Sequence, residues 1–200
     1  MGMNQDVYDS LKKDDVFDFS LKKNVIILGE LESKCKEHRG YLKDILRKNG
    51  WTAMSIDMSE KYPEALKIDL AKPIPIDMKE KFDLLLDFGT GEHIRDQNIY
   101  WKNCHELVRK GGKRIHALPY VGSWKNHCVF RYTTDFFKKL SEYFEYDIIR
   151  IEKIGMIERE LVYANINKVK KTYDEKIFID FLEKEIVKDL GFKDSSMFCS

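Results

Sequence analysis

The sequence predicts a three-layer α/β sandwich on a mostly parallel sheet, and three features carry that expectation. Asn24–Gly29 (NVIILG) and Phe82–Asp87 (FDLLLD) are predominantly apolar runs bounded by turn residues, the pattern of strands buried on both faces. Between and after them lie segments with apolar residues at helical spacing, such as Phe136, Phe137, Leu140 and Phe144. Tyr146–Ile151 and Leu161–Ile166 flank a short connection containing Gly155, which reads as an antiparallel hairpin. Strands alternating with helices imply crossovers that cover both sheet faces.

Residues 1–23 are charged, with Val7, Tyr8, Leu11, Phe17 and Phe19 as anchors of a helical extension. NVIILG is the first strand. A charged segment, Glu30–Arg39, leads to a helix over Gly40–Gly50, whose Tyr41, Leu42, Ile45 and Leu46 share a face before the Asn49-Gly50 stop. Trp51–Asp57 is the second strand and Leu66–Leu70 a short third, each carrying an acid at its end. Pro73-Ile74-Pro75 breaks the chain before the fourth strand at 82–87. Arg95–Val108 is a helix, Lys110-Gly111-Gly112 a turn, and Lys113–Leu118 the fifth strand, stopped by Pro119. Asp135–Phe144 is an amphipathic helix capped by Thr133 or Thr134. The hairpin supplies the sixth and seventh strands, the last one antiparallel, and Asp174–Leu190 is a helix with Phe178, Leu182, Ile186 and Leu190 stacked. No repeat or low-complexity linker intervenes. The 200 residues are expected to form a single domain: an extension at 1–23, a core at 24–167, and a C-terminal helix and tail at 168–200.

Lysine plus arginine number 35 against 34 aspartates and glutamates, a net charge of +1, which lacks the basic footprint of a nucleic-acid binder. No run is apolar and long enough for a transmembrane helix or a signal peptide, so a cytoplasmic protein with no membrane partner is expected. Cys35, Cys104, Cys128 and Cys199 show no repeated spacing and read as free thiols. Cys35 and His38 form a lone C-x-x-H with no second ligand pair, so no metal site is expected.

The site is expected beyond the carboxyl ends of the strands, where open α/β sheets bind ligands. Asp57, at the end of the second strand, is placed to accept both hydroxyls of a ribose, and Asp69 an adenine amino group. The loop after the first strand decides which adenosine ligand. A pyrophosphate needs several glycines, and here Gly29 is followed by Glu30-Leu31-Glu32, whose charges repel phosphate. Dinucleotides and ATP are therefore disfavoured, and an adenosine ligand without phosphates remains.

Across residues 24–167 the chain resembles the class I S-adenosylmethionine (SAM)-dependent methyltransferases, with their Rossmann-like fold. NVIILG, SID ending at Asp57, KID ending at Asp69, FDLLLDFGTGEHI and ELVRKGGKRIHALP stand in that family's order. The resemblance implies SAM as cofactor, with Gly29 against it, Asp57 on the ribose and Asp69 facing the adenine. It also implies that Asp87, Phe88 and Gly89 border the methionine moiety. The chain departs from the family in its first loop: one glycine survives of G-x-G-x-G, and Ile27 stands where an acid is usual, with Glu30 as a substitute.

Pro119–Thr133 is a long, polar, aromatic connection, a place where function concentrates. It resembles stretches in methyltransferase-like proteins of carbohydrate pathways. Trp124 and Tyr120 could stack on a sugar, while Asn126 and Arg131 bond its hydroxyls; Arg131-Tyr132 equally reads as a clamp at the helix entry. Methyl transfer to oxygen gains from a base, and His127 and His93, which follow strand ends on one side of the sheet, are the candidates for it. The function expected is O-methylation of a small-molecule or carbohydrate hydroxyl; the alternative is a methyltransferase-like binding or scaffold protein without turnover. A homodimer is compatible with the near-neutral surface.

Overall fold

In the computed structural model, which describes residues 2–169, 176 and 178–182, the sheet divides the core into two apolar clusters by its own alternation. Strands β1 (Asn24–Leu28), β4 (Thr52–Ile56), β5 (Phe82–Asp87) and β6 (Val108–Pro119) run parallel. Strand β8 (Leu161–Asn167) lies antiparallel between β6 and the edge strand β7 (Asp147–Ile154), giving the order β4-β1-β5-β6-β8-β7. Successive side chains of a strand point to opposite faces. Val25 and Ile27 of β1 accordingly join Leu84 and Leu86 of β5 on one face, while Ile26 and Leu28 join Leu85 on the other.

Helices close both faces. Helices α1 (Gln5–Lys13) and α2 (Leu42–Lys48) bring Val7, Leu11, Leu42 and Leu46 to the first cluster. Helices α3 (Gln97–Leu107) and α4 (Thr134–Phe144) bring Tyr100, Trp101, Phe136, Phe137 and Leu140 to the second. Caps set their starts: Asn4, Asp96 and Thr133 accept from Val7, Ile99 and Phe136 N–H groups, satisfying donors that a first helical turn leaves open. Of the expected C-terminal helix, residues 178–182 are helical and Phe178, Phe181 and Leu182 are buried against α4; Ile186 and Leu190 lie outside the described residues.

Among the described residues the sheet has six strands, not seven. The expected third strand, Leu66–Leu70, is reduced to one parallel bridge between Leu66 and Ile56. Its chain turns away at once: Ile68 N–H bonds back to Leu66, and the Asp69 carboxylate accepts from Ala71 N–H in a local turn that competes with a ladder. The Lys110-Gly111-Gly112 turn is instead a bulge inside β6, where the register to β5 shifts and Gly111 and Gly112 exchange backbone bonds with Lys168. The charged Glu30–Arg39 segment folds largely as a small antiparallel ribbon, β2 (Glu32–Lys34) with β3 (Arg39–Tyr41), which begins to pair with the N-terminus through Met3. Three-residue strands of charged residues carry no alternating pattern to read.

Candidate functional site

The parallel strands end in a cleft of about 360 Å³ lined by Gly29, Glu30, Leu31, Asp57, Asp69, Gly89 and His93, with Ile56, Ile68, Leu70 and Ile94 as apolar walls. Gly29 makes the turn out of β1 with φ +78°, a conformation in which a side chain is strained. A Cβ there would also lie 2.6 Å from the Thr90 hydroxyl, which donates to Leu28 O at 2.8 Å and ties the β1 and β5 turns together.

Asp57 sits at the rim with each carboxylate oxygen engaged once: Oδ2 accepts from Glu30 N–H at 2.8 Å and Oδ1 from Ser59 N–H at 2.8 Å. An ionised carboxylate has about four acceptor positions, so two stay available to a ligand's hydroxyls. Asp69 is partly exposed and pairs with Lys72 at 3.6 Å. Glu30 lines the cleft, but its buried carboxylate is bound to Lys43 at 3.2 Å and to the Ser55 hydroxyl.

Past Gly89 the chain makes a short turn, Gly91–His93, that carries a second set of groups. Glu92 is fully buried, and neither of its carboxyl oxygens has a hydrogen-bond partner among the described residues. Burial, followed by the charge of Asp87, pushes its carboxyl up to about 8. Its backbone carbonyl accepts from both Val129 and Phe130 N–H, at 3.1 and 3.0 Å, which docks the connection after β6 onto this turn. The His93 and His127 rings are thereby brought to 5.3 Å, edge to face, with the Trp124 ring 5.2 Å from His127. Both imidazoles are held below the usual histidine value, in each case first by partial burial. His127 and Trp124 also line a second cleft of about 440 Å³ with Gly122, Lys125, Glu158 and Arg159. His93 lines the first cleft and His127 the second, so each cleft holds one member of the histidine pair.

No protein-family model and no curated protein matches the sequence. Solved structures do match it. A SAM-dependent methyltransferase from Mesorhizobium loti superposes with a TM-score of 0.61 at 11% identity, over 80% of this chain and 96% of that one. The N-methyltransferase NodS from Bradyrhizobium japonicum, in complex with S-adenosylhomocysteine (SAH), gives 0.60 at 10% identity, over 84% and 89%. The 1,6-didemethyltoxoflavin-N1-methyltransferase of Burkholderia thailandensis, also with bound SAH, gives 0.58 at 12%, over 80% and 77%. The fold is that of the class I methyltransferases.

Within this methyltransferase fold, several residues singled out from the sequence lie away from the cleft. Asp87 is fully buried and faces inward: its carboxylate accepts from the Tyr100 hydroxyl and Thr90 N–H and lies 3.2 Å from His116 Nδ1. Phe88 is fully buried in the apolar cluster under α1 and α2. Of the pair, neither lines the cleft; Gly89 does, with φ +100°. Arg131 donates to the Ser123 and Trp124 carbonyls at 2.8 Å each, which makes it a clamp of its own loop. Tyr132 is buried, its hydroxyl donating to Gln97 Oε1 at 2.7 Å. Asn126 is exposed in the left-handed region, φ +59°, at the loop's tip.

Two residues that the sequence did not mark as site residues organise the site. Glu92 was readable as the carboxylate beside His93 that ends the turn after the fourth strand, but nothing local showed that it would be buried. Gln97 is fully buried; its amide donates to Gly91 O at 2.9 Å and Ile94 O at 2.6 Å, and its Oε1 accepts from Trp101 and Tyr132. It fixes the turn that presents Glu92 and His93.

Proposed function

We propose that this protein is a SAM-dependent methyltransferase acting on a hydroxyl of a small-molecule or carbohydrate acceptor. The observation that carries the reading is the contact of the His93 and His127 rings, each of which lines one cleft: one at the strand ends with Gly29, Asp57 and Gly89, the other with Trp124. The first is of ligand-pocket size, at the lower end of the usual range of about 300–1,000 Å³. Its apolar walls suit an adenine, its glycine turns admit close backbone approach, and Asp57 has acceptor capacity left for a ribose. When bound, SAM supplies an electrophilic methyl group on a sulfonium. The chain's part is to hold the acceptor and take its proton. Trp124 offers an aromatic face to a sugar, and Lys125, Glu158 and Arg159 offer partners for hydroxyls. His127 or His93 accepts the hydroxyl proton, for which each must be neutral. A cytoplasmic setting belongs to the same reading, supported by the free thiols of the buried Cys35 and Cys104.

Titration of the purified protein with SAH tests the cofactor. Micromolar binding is expected, with Asp57→Ala weakening it about 100-fold, since two charge-assisted hydrogen bonds of about 1.5 kcal/mol each are lost. No binding to a folded sample would overturn the enzyme reading and leave the binding-module alternative. The histidines give an independent check. Both are expected to titrate by NMR below the ordinary value of about 6.5, leaving them neutral at pH 7. A titration of either above pH 7 would remove it as the base.

A further inference from the structure

We propose that Glu92, His93 and His127 form a binding site for a divalent transition-metal ion of the Zn²⁺ class. Nothing in the sequence pointed to a metal, because the three residues lie on two loops more than thirty positions apart. The fold brings them together. One ligand atom from each, a carboxylate oxygen and two imidazole nitrogens, lies within 4.8 Å of the other two, and His93 Nε2 is 3.7 Å from Glu92 Oε1. Ligands around one ion at bond lengths of about 2.1 Å sit about 3.4 Å apart, so closure needs only a modest swing of two exposed imidazoles toward a fixed carboxylate.

The independent observation is the carboxylate itself. Both Glu92 oxygens are buried without a hydrogen-bond partner among the described residues, at the base of a site whose other two members face solvent. Buried carboxylates are otherwise paired, hydrogen-bonded or ligated. An ion reached from the open side would give that carboxylate the partner it lacks. The donor set selects the ion: two imidazoles with one carboxylate suit Zn²⁺, Co²⁺, Mn²⁺ or Fe²⁺, whereas Mg²⁺ and Ca²⁺ prefer all-oxygen shells. Three protein ligands leave open coordination positions, as in catalytic rather than structural sites. His93 lines the strand-end cleft and His127 the second one, so an open position would face an acceptor oxygen. That role rests on the methyltransferase reading: a cation there would polarise the acceptor hydroxyl in place of a free imidazole base. Occupancy of the site does not depend on it.

The test is titration of the full chain, freed of metal with a chelator, with Co²⁺ followed by its visible absorption and with Zn²⁺ by calorimetry. One ion per chain is expected, with His93→Ala and His127→Ala each weakening binding at least about tenfold, and their double variant abolishing it. Mg²⁺ should not compete. Both histidines are exposed, so these variants fold, which circular dichroism verifies. Cys128→Ala, altering the neighbouring thiol, should bind as the parent does. Absence of saturable binding, unchanged binding in the double variant, or loss of binding in Cys128→Ala alone would each overturn the assignment. SAH titration of the same samples separates the two readings: metal binding without SAH binding leaves this site standing and overturns the methyltransferase reading, and the reverse overturns only the metal site.

Discussion

Glu92→Gln is expected to stabilise the metal-free protein, increasingly so as the pH rises. In the unfolded chain this carboxyl ionises near 4.5; in the folded protein it keeps its proton up to about 8. Between those values the folded state binds more protons than the unfolded one, so unfolding releases a proton and raising the pH favours it. The native state is therefore unpenalised below the lower value and bears the full cost above the upper one. Each pH unit of that interval is worth about 1.4 kcal/mol, which sets a ceiling of about 5 kcal/mol. The glutamine amide has no proton to lose, although its own buried polar atoms take back part of the gain. Urea unfolding of both proteins with chelator present, at about pH 5 and above pH 8, measures the effect as a difference. A gap between variant and parent that stays constant across the two conditions would show that the carboxyl is not held protonated by the fold.

Trp101→Ala is expected to cost about 3–5 kcal/mol, the range for removing a large buried aromatic side chain. Trp101 is 1% exposed at the centre of the cluster under α3 and α4, with ring contacts to Tyr100, His116, Tyr132, Phe136 and Phe137. For a chain of this length the loss corresponds to a fall of about 10 °C in Tm. The effect reaches the site through one bond: the indole N–H donates to Gln97 Oε1 at 3.0 Å, and Gln97 holds the Gly91–Ile94 turn. Trp101→Phe keeps most of the volume and loses that donor, while Tyr132 still serves the same oxygen, so a cost of less than half is expected. Thermal unfolding of both variants checks the order. Equal losses would mean that the hydrogen bond, rather than the packing, dominates at Trp101.

The core of this protein was legible in its sequence because it obeys two short periods. NVIILG and FDLLLD can be little other than strands buried on both faces, and the Phe136–Phe144 face can be little other than a helix on a sheet, since the spacing of apolar residues alone settles which side is dry. The terminal antiparallel pair was equally readable from a glycine connection between two β-branched runs. Elements specified by few residues were not. Leu66–Leu70 has the composition of a strand, but an aspartate that prefers its own turn and a single bridge to β4 leave it outside the sheet. The ribbon of β2 and β3 has no pattern, because its three-residue strands are held by backbone pairing and by the Ser33 hydroxyl's bond to His38 O, not by an alternation of apolar residues.

The candidate site divides along the same line. Gly29, Asp57 and Gly89 could be placed from the sequence because strand ends fix where the next residue lies; they line the cleft, as does Asp69, although its expected strand did not form. Which side chains turn inward could not be placed. Asp87 and Phe88 follow the same strand by the same logic and are buried away from the cleft, because the pleat sends alternate residues to opposite faces and the turn begins one residue later. Sequence alone therefore determined most of the sheet, its helices and the end at which a cleft opens. Only the tertiary structure decided that the Glu92 carboxyl is buried with no hydrogen-bond partner among the described residues, that its carbonyl docks a distant loop, and that His93 and His127 consequently face each other. Local periodicity records whether a residue meets the core; contacts between loops depend on the closure of the whole chain, and no short stretch encodes them.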